Sequence, residues 1–370
     1  MNQGLTSTQQ CIWKARARCQ FSDPLQFDEF NGRIYCYWHR PLDAGQKDYE
    51  KFIKLVRDDL ERGNRDFSGV AFPGGGKAEY DFRKDGTIQL QECHFAPGVR
   101  LYLYRANLRG SHFSGPIRID GLSGEVCFAG CLFDGNIEFV VSSTGGSVDL
   151  TGTSFNREVR FNQAQRLHAL TLDRCTFQRP PTFRGAEIPQ QTTFMRARFR
   201  RTAQRASDEG AYRAIRNLFH KNRAREWEGY FYALEKRCHR RSLPWRSAWF
   251  ARSLSALYDW TAVYGQSYER AFLVFVLVQI VFGFGYSIFS GRFGLSTEVD
   301  PIIVAFALAQ ALKPFELLAA RRPSSTVYTE VLSGAEESVL WIASTVLHSV
   351  LSLALIALFL LAVRWRFRRE

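Results

Sequence analysis

Four residues near the start of the chain, Cys11, Cys19, Cys36 and His39, combine three thiols with one imidazole. As thiolates and neutral imidazole they make a common tetrahedral set for Zn2+, and Cys36-x-x-His39 has the short spacing of a metal-binding knuckle. Lys14, Arg16 and Arg18 lie between the first two cysteines, where their positive charge favours thiolate. Four protein ligands leave no open coordination position, so the expected zinc is structural and would hold together a segment that otherwise lacks a core. The 7- and 16-residue spacers are not those of a standard finger. Buried or surface thiols are the alternative.

Catalytic chemistry is not expected. The sequence offers no nucleophile–base set, and Gly74-Gly75-Gly76 precedes no Lys-Ser/Thr helix start of the kind that cradles phosphate. The second constellation of interest lies near the other end of the chain. Ser338, Thr345, His348 and Ser352 recur at helical spacing inside an apolar run. Polar side chains at membrane depth face a water-filled path or a neighbouring helix. Below them the same face continues as Leu355/Ile356, Phe359 and Val363, an apolar ring that could gate a pore by dewetting.

The elements that must position these groups follow from length and charge. The 370 residues suggest two or three domains, and a net charge of +13 favours nucleic acid or an anionic membrane surface as neighbour. Residues 271–289 carry no charge, and residues 338–363 carry only His348. Either run is long enough to cross a hydrocarbon core about 30 Å thick, which excludes a purely soluble protein. The polar first 20 residues do not read as a cleavable signal, so the eight cysteines are expected reduced. Positive charge sets orientation. Residues 200–270 hold 15 Lys/Arg against 7 Asp/Glu, the tail carries Arg364, Arg366, Arg368 and Arg369, and the 292–337 connection is net acidic. A hairpin of two spans with both termini cytoplasmic is expected.

Between 67 and 199 the sequence repeats. Phe128, Phe139, Leu150, Phe161, Leu172, Phe183 and Phe194 are spaced by 11, with Val126, Ile137, Val148, Val159 and Leu170 two residues before the first five. Phe133, Phe155, Phe177 and Phe199 occur in alternate units, so the full period is 22. The same pattern extends backward, through shorter coils, to Leu108/Phe113/Ile119, Leu90/Phe95/Leu101 and Phe67/Phe72. Two residues before the inward aromatic or leucine stands a small residue: Cys93, Ala106, Ser111, Cys131, Thr153, Cys175 or Ala197. Steps of five suit a chain that turns a corner every five residues, with small and large side chains side by side. An 11-residue period also suits a right-handed coiled coil, but Gly145-Gly146, Pro180-Pro181 and the β-branched content oppose it. With motifs such as Ala106-Asn107-Leu108-Arg109-Gly110, the segment resembles the pentapeptide-repeat family, which implies a right-handed quadrilateral β-helix. Such a helix is a scaffold and specifies no chemistry. Gyrase-binding members of that family mimic acidic DNA, a role the positive charge of this chain opposes.

Residues 205–241 have helical spacing and end in Lys236-Arg237-Cys238-His239-Arg240-Arg241. Trp245, Trp249, Leu254, Leu257 and Trp260 follow, three to five apart and just ahead of the first span. Trp245, Trp249, Trp260, Arg240 and Arg241 are therefore candidate contacts with anionic lipid headgroups. A solvated helix face is the plain alternative for the basic run. Nucleic acid is a weaker reading, because no base-reading motif accompanies the charge.

The connection between spans contains an apolar stretch, Pro301 to Leu312, too short to cross and too apolar for a solvated loop. Span, short helix, span resembles the plan of two-span pore-loop ion channels, and fusion of such a module to pentapeptide repeats resembles a bacterial group. The resemblance implies a homotetramer, with Gln310, Leu312, Lys313, Pro314 and Phe315 at the constriction and Thr345, His348, Ser352, Ile356 and Phe359 along the pore. One departure matters. Ala311-Leu312-Lys313-Pro314-Phe315-Glu316 cannot build the stacked carbonyl rings of a potassium filter, so weak selectivity is expected.

The expected architecture is thus mixed: a Cys/His zinc module (1–45), a helical connection (46–66), a β-helix (67–200), a basic helical region (201–242), an interfacial helix (243–267) and a two-span pore domain (268–370). The latter holds spans near 271–289 and 338–363 and a re-entrant pore helix near 301–313. The expected function is a weakly selective, oligomeric ion channel of a bacterial inner membrane, contacting lipids and permeant ions. The alternative is a membrane-anchored scaffold or sensor whose β-helix binds a protein.

Overall fold

The computed structural model describes residues 27–30, 33–42, 47–75, 78–184, 188–189, 191–200, 205–221, 224–289, 304–311 and 339–367. They fall into two compact units, residues 1–224 and 225–370. The boundary cuts through the basic helical region expected as one segment over 201–242.

The first unit is a β-solenoid of about five turns. Its short strands pair in parallel, each with the equivalent strand one coil away. Phe133, Phe155, Phe177 and Phe199 are register partners in sequence, which is the 22-residue period. Earlier coils vary: Ala71, His94, His112 and Leu132 pair successively, so those coils advance by 23, 18 and 20 residues. Alternation of inward apolar and outward polar residues makes each strand half-buried. Register then places like on like. Phe72, Phe95, Phe113, Phe133, Phe155, Phe177 and Phe199 form one continuous ladder of near-parallel rings with centroids 4.3–5.3 Å apart. Phe139, Phe161 and Phe183 form a second. Where coils approach most closely only glycine fits. A Cβ on Gly135 would lie 2.0 Å from the backbone of Gly115 on the coil before.

The small inward residues do more than fit. The Ser111 hydroxyl donates to the Leu90 carbonyl (2.7 Å), and the Thr153 hydroxyl to the Phe128 carbonyl (2.7 Å). The Cys93, Cys131 and Cys175 thiols donate to the carbonyls of Phe67, Leu108 and Leu150 at 3.0–3.1 Å. Each donor adds a bond to a main-chain oxygen of the preceding coil; those of Phe67, Leu108, Phe128 and Leu150 also accept a backbone amide three residues on. Burial pushes these thiols up, Cys131 and Cys175 to about 12, and Cys93 likewise upward.

Both ends of the solenoid are covered. Helix α1 (Tyr49–Glu61) starts at Asp48, whose carboxylate accepts from the Glu50 and Lys51 amides. Its Phe52, Val56 and Leu60, spaced four apart, form one buried stripe. The Phe52 ring lies against Phe72 (5.8 Å), and Trp38 lies against Phe67 (6.2 Å). At the other end α2 (Glu209–Lys221) sets Tyr212 on Phe199 (5.7 Å) and Phe219 on Phe194 (5.9 Å). These helices terminate the aromatic ladder, whose last ring would otherwise face water.

The second unit is helical: α3 (Arg225–Ser242), α4 (Trp249–Ala262), α5 (Tyr268–Phe289), a short helix over 304–311, and α6 (Val339–Phe367). Helices α5 and α6 contain stretches of 21 and 22 residues, Tyr268–Ile288 and Ala343–Arg364, long and apolar enough to cross a membrane. They pack on each other. An elbow joins α4 to α5, with Val263, Tyr264 and Gly265 all at positive φ (47°, 54° and 82°). A Cβ on Gly265 would lie 2.8 Å from the Tyr258 hydroxyl. Glycine is favoured there on both counts.

Candidate functional site

Between the two apolar helices lies a polar network. His348 on α6 is fully buried and stacks on Phe282 of α5, centroids 4.4 Å apart. Its Nε2 is 2.9 Å from Gln279 Oε1, and its Nδ1 is 3.1 Å from the Tyr286 hydroxyl. The geometry suits the Nε2–H tautomer, donating to Gln279 and accepting from Tyr286. Gln279 Nε2 in turn donates to the buried Ser352 hydroxyl (2.9 Å). Within one chain, then, the polar face of α6 is turned to α5. The apolar continuation is turned the same way: Phe359 packs against Phe272 with centroids 6.0 Å apart. Thr345 and Ile356 are half-buried. Thr345 lends its carbonyl to the Ser349 hydroxyl (3.0 Å).

The short helix 304–311 docks on this pair. Phe306 is fully buried and meets Tyr286 of α5 edge-on at 5.0 Å, while Ala307 and Ala311 are buried beside it. Gln310 is buried as well, and its carbonyl oxygen is 3.2 Å from the Ser349 hydroxyl of α6. Leu312, Lys313, Pro314 and Phe315 lie outside the described residues. Of the expected constriction residues, only Gln310 lies among the described residues, and it is buried against α6.

The proposed metal ligands divide likewise. Cys11 and Cys19 lie outside the described residues. Cys36 ends the second strand of an antiparallel hairpin, β1 (Phe27–Phe30) and β2 (Arg33–Cys36). The turn after it brings the His39 and Arg40 amides to the Cys36 carbonyl (3.1 and 2.9 Å). Both Cys36 and His39 are buried, with Sγ and Nδ1 3.0 Å apart. His39 Nε2 is 3.3 Å from the Ser68 carbonyl. A carbonyl on the far ring nitrogen is what orients a metal-ligating histidine. Among the described residues no group of three or more ligating side chains forms. Nearby, the buried Lys47 ammonium donates to the carbonyls of Trp38 (2.9 Å) and Ala71 (2.7 Å), tying this turn to the first coil. Burial pulls Lys47 down to about 7, against an opposing pull from Cys36.

Of the expected headgroup contacts, Trp245, Trp249 and Trp260 are exposed, as is Arg241. Arg240 is not directed outward. Its Nη2 donates to Asp259 of α4 (3.1 Å), which Arg237 also grips through Nε and Nη2 at 2.9–3.1 Å. On the outer surface of the solenoid, one set of charges pairs internally. Along one groove of about 640 Å³, Arg100 pairs with Glu79 (2.9 Å) and Arg118 with Glu138 (3.0 Å), while Asp120 accepts from both arginines (3.0 and 2.8 Å).

Compared with known proteins, the chain matches no family model, no curated protein and no solved structure. Its fold is read from the stacked parallel coils, which are compatible with a pentapeptide-repeat β-helix, and from two apolar helices of membrane-spanning length.

Proposed function

We propose that the chain is a subunit of an oligomeric, weakly selective membrane ion channel that carries a cytoplasmic pentapeptide-repeat domain. The observation that carries this reading is the short helix 304–311 held against both spans, through Phe306 on Tyr286 and Gln310 on Ser349. An anchor has no use for such an insertion, whereas a pore element must be fixed to both helices that flank it. In this reading α5 and α6 cross the inner membrane of a bacterium with both termini inside, and four chains surround one path. The solenoid takes the right-handed quadrilateral course of the family it resembles. The segment Leu312-Lys313-Pro314-Phe315, directly after Gln310, forms the constriction. His348 and Ser352 join α6 to α5, so pore width and Lys313 set whatever selectivity there is. Cys11, Cys19, Cys36 and His39 hold a structural Zn2+, a role that the Cys36–His39 pairing and the Ser68 carbonyl support.

The rival is a membrane-tethered scaffold whose solenoid binds a protein. The engagement of His348 and Ser352 inside one chain favours it, since a self-contained hairpin needs no more. Mass measurement in detergent together with conductance separates the two. A conducting tetramer supports the channel, and a non-conducting monomer supports the scaffold.

A further inference from the structure

Helix α4 is built inside out for a protein in water. Trp249, Phe250, Leu254, Leu257 and Trp260 are each at least half exposed and fall on one face. Ser255 and Asp259 lie on the other face, bonded to α3. Asp259 is gripped there by Arg237 and Arg240, and the Ser255 carbonyl accepts from Arg240 (3.3 Å). The Ser255 hydroxyl is paired with Tyr264 of the elbow (2.8 Å). A helix in water turns its charges out and its apolar stripe in. Here partly buried ion pairs fix the opposite orientation, and exposed apolar patches of this kind mark a surface that something apolar covers.

We propose that the outward face of α4 lies in the headgroup layer of an anionic bilayer. The inference rests on the reading that α5 and α6 cross that bilayer. Continuity argues for lipid over any other occupant. Only residues 263–267 separate α4 from α5, and their positive-φ turn keeps the end of α4 beside the mouth of the span. Tryptophan is the residue of this layer, because its ring is apolar and its N–H seeks water or phosphate. Arg241 and Arg246, exposed just before α4, supply the cations that favour anionic headgroups, while Arg252 stacks over Trp245 at 5.1 Å.

The test uses the full chain in vesicles, with flotation reporting separately whether the spans hold it in the membrane. Vesicles contain phosphatidylglycerol or phosphatidylcholine brominated high on the acyl chain, which quenches tryptophan near the headgroups. Replacing Trp245, Trp249 and Trp260 with Phe removes three of the eight tryptophans while keeping the apolar face. The floated variant should lose most of that quenching. An unchanged quenched share in the floated variant means that a second copy or another protein covers the face, and overturns the proposal. A floated wild-type protein that brominated lipid does not quench overturns it without any variant. Quenching by phosphatidylglycerol should exceed that by phosphatidylcholine at low salt, and Arg241→Gln with Arg246→Gln should abolish the difference. Equal quenching by both lipids in the wild type contradicts the preference for anionic headgroups.

Discussion

His348 of the second apolar helix and Gln279 of the first meet at 2.9 Å, Nε2 to Oε1, across 69 residues of sequence. The contact joins helices whose remaining packing is almost wholly aliphatic and aromatic, which in lipid gives little specificity of register. The bond to Tyr286 on one side and that from Gln279 to Ser352 on the other fix both rotation and height.

Substitution His348→Phe keeps the ring against Phe282 and removes both hydrogen bonds. Interhelical bonds in membranes contribute about 0.6 kcal/mol on average, so losing two should cost about 1–2 kcal/mol of hairpin stability. Unfolding in detergent would measure it. An unchanged midpoint would show that the network does not hold the spans together.

In the solenoid, Thr153→Val preserves shape and removes one of the two bonds to the Phe128 carbonyl, leaving it the Cys131 amide (3.1 Å). Losing one net hydrogen bond to an acceptor that stays paired costs about 0.5–1.5 kcal/mol. The urea midpoint of the β-sheet circular dichroism signal should fall accordingly, and Thr153→Ser should restore it. Equal midpoints for Val and Ser would make size the only requirement at this position.

How much of this was legible in the sequence depends on range. The Phe ladder was, because a 22-residue period is written into Phe133, Phe155, Phe177 and Phe199. The small residues beside it were legible as small. That Ser111, Thr153 and three cysteines are chosen as donors was not drawn from the spacing, although the recurrence of O–H and S–H groups carries the signal. The Phe52, Val56, Leu60 stripe of α1 was equally visible, but what it covers depends on coil one. On α6 the spacing of Thr345, His348 and Ser352 identifies a polar face. Its partner could not be read, because Gln279 is a lone amide in an apolar run and pairing across 69 residues leaves no local pattern. Arg240 had a headgroup reading for the same reason, its acceptor Asp259 lying on another helix.

Burial holds the thiols of Cys93, Cys131 and Cys175 far above their ordinary range. A thiol held near 12 is ionised in about one molecule in ten thousand at about pH 8, and only the thiolate is alkylated. Iodoacetamide should therefore label half-buried Cys127 well before these three, which should react only in denaturant. Mass spectrometry of peptides reads the order. Early labelling of Cys131 would mean that the coils open readily.

Purified protein should carry about one zinc per chain, and removing it should loosen the segment before the solenoid. Cys36→Ser with His39→Ala should abolish the metal while the Phe ladder and the β-sheet signal persist. A folded wild-type protein free of metal would end the zinc proposal.

The channel proposal is tested most directly by recording from the purified full chain in a planar bilayer under a salt gradient. Discrete unitary current steps are expected. Their reversal potential should move toward cation preference in Lys313→Glu. A correctly inserted protein that gives no unitary currents under any voltage or salt condition would contradict the account and leave the hairpin as an anchor.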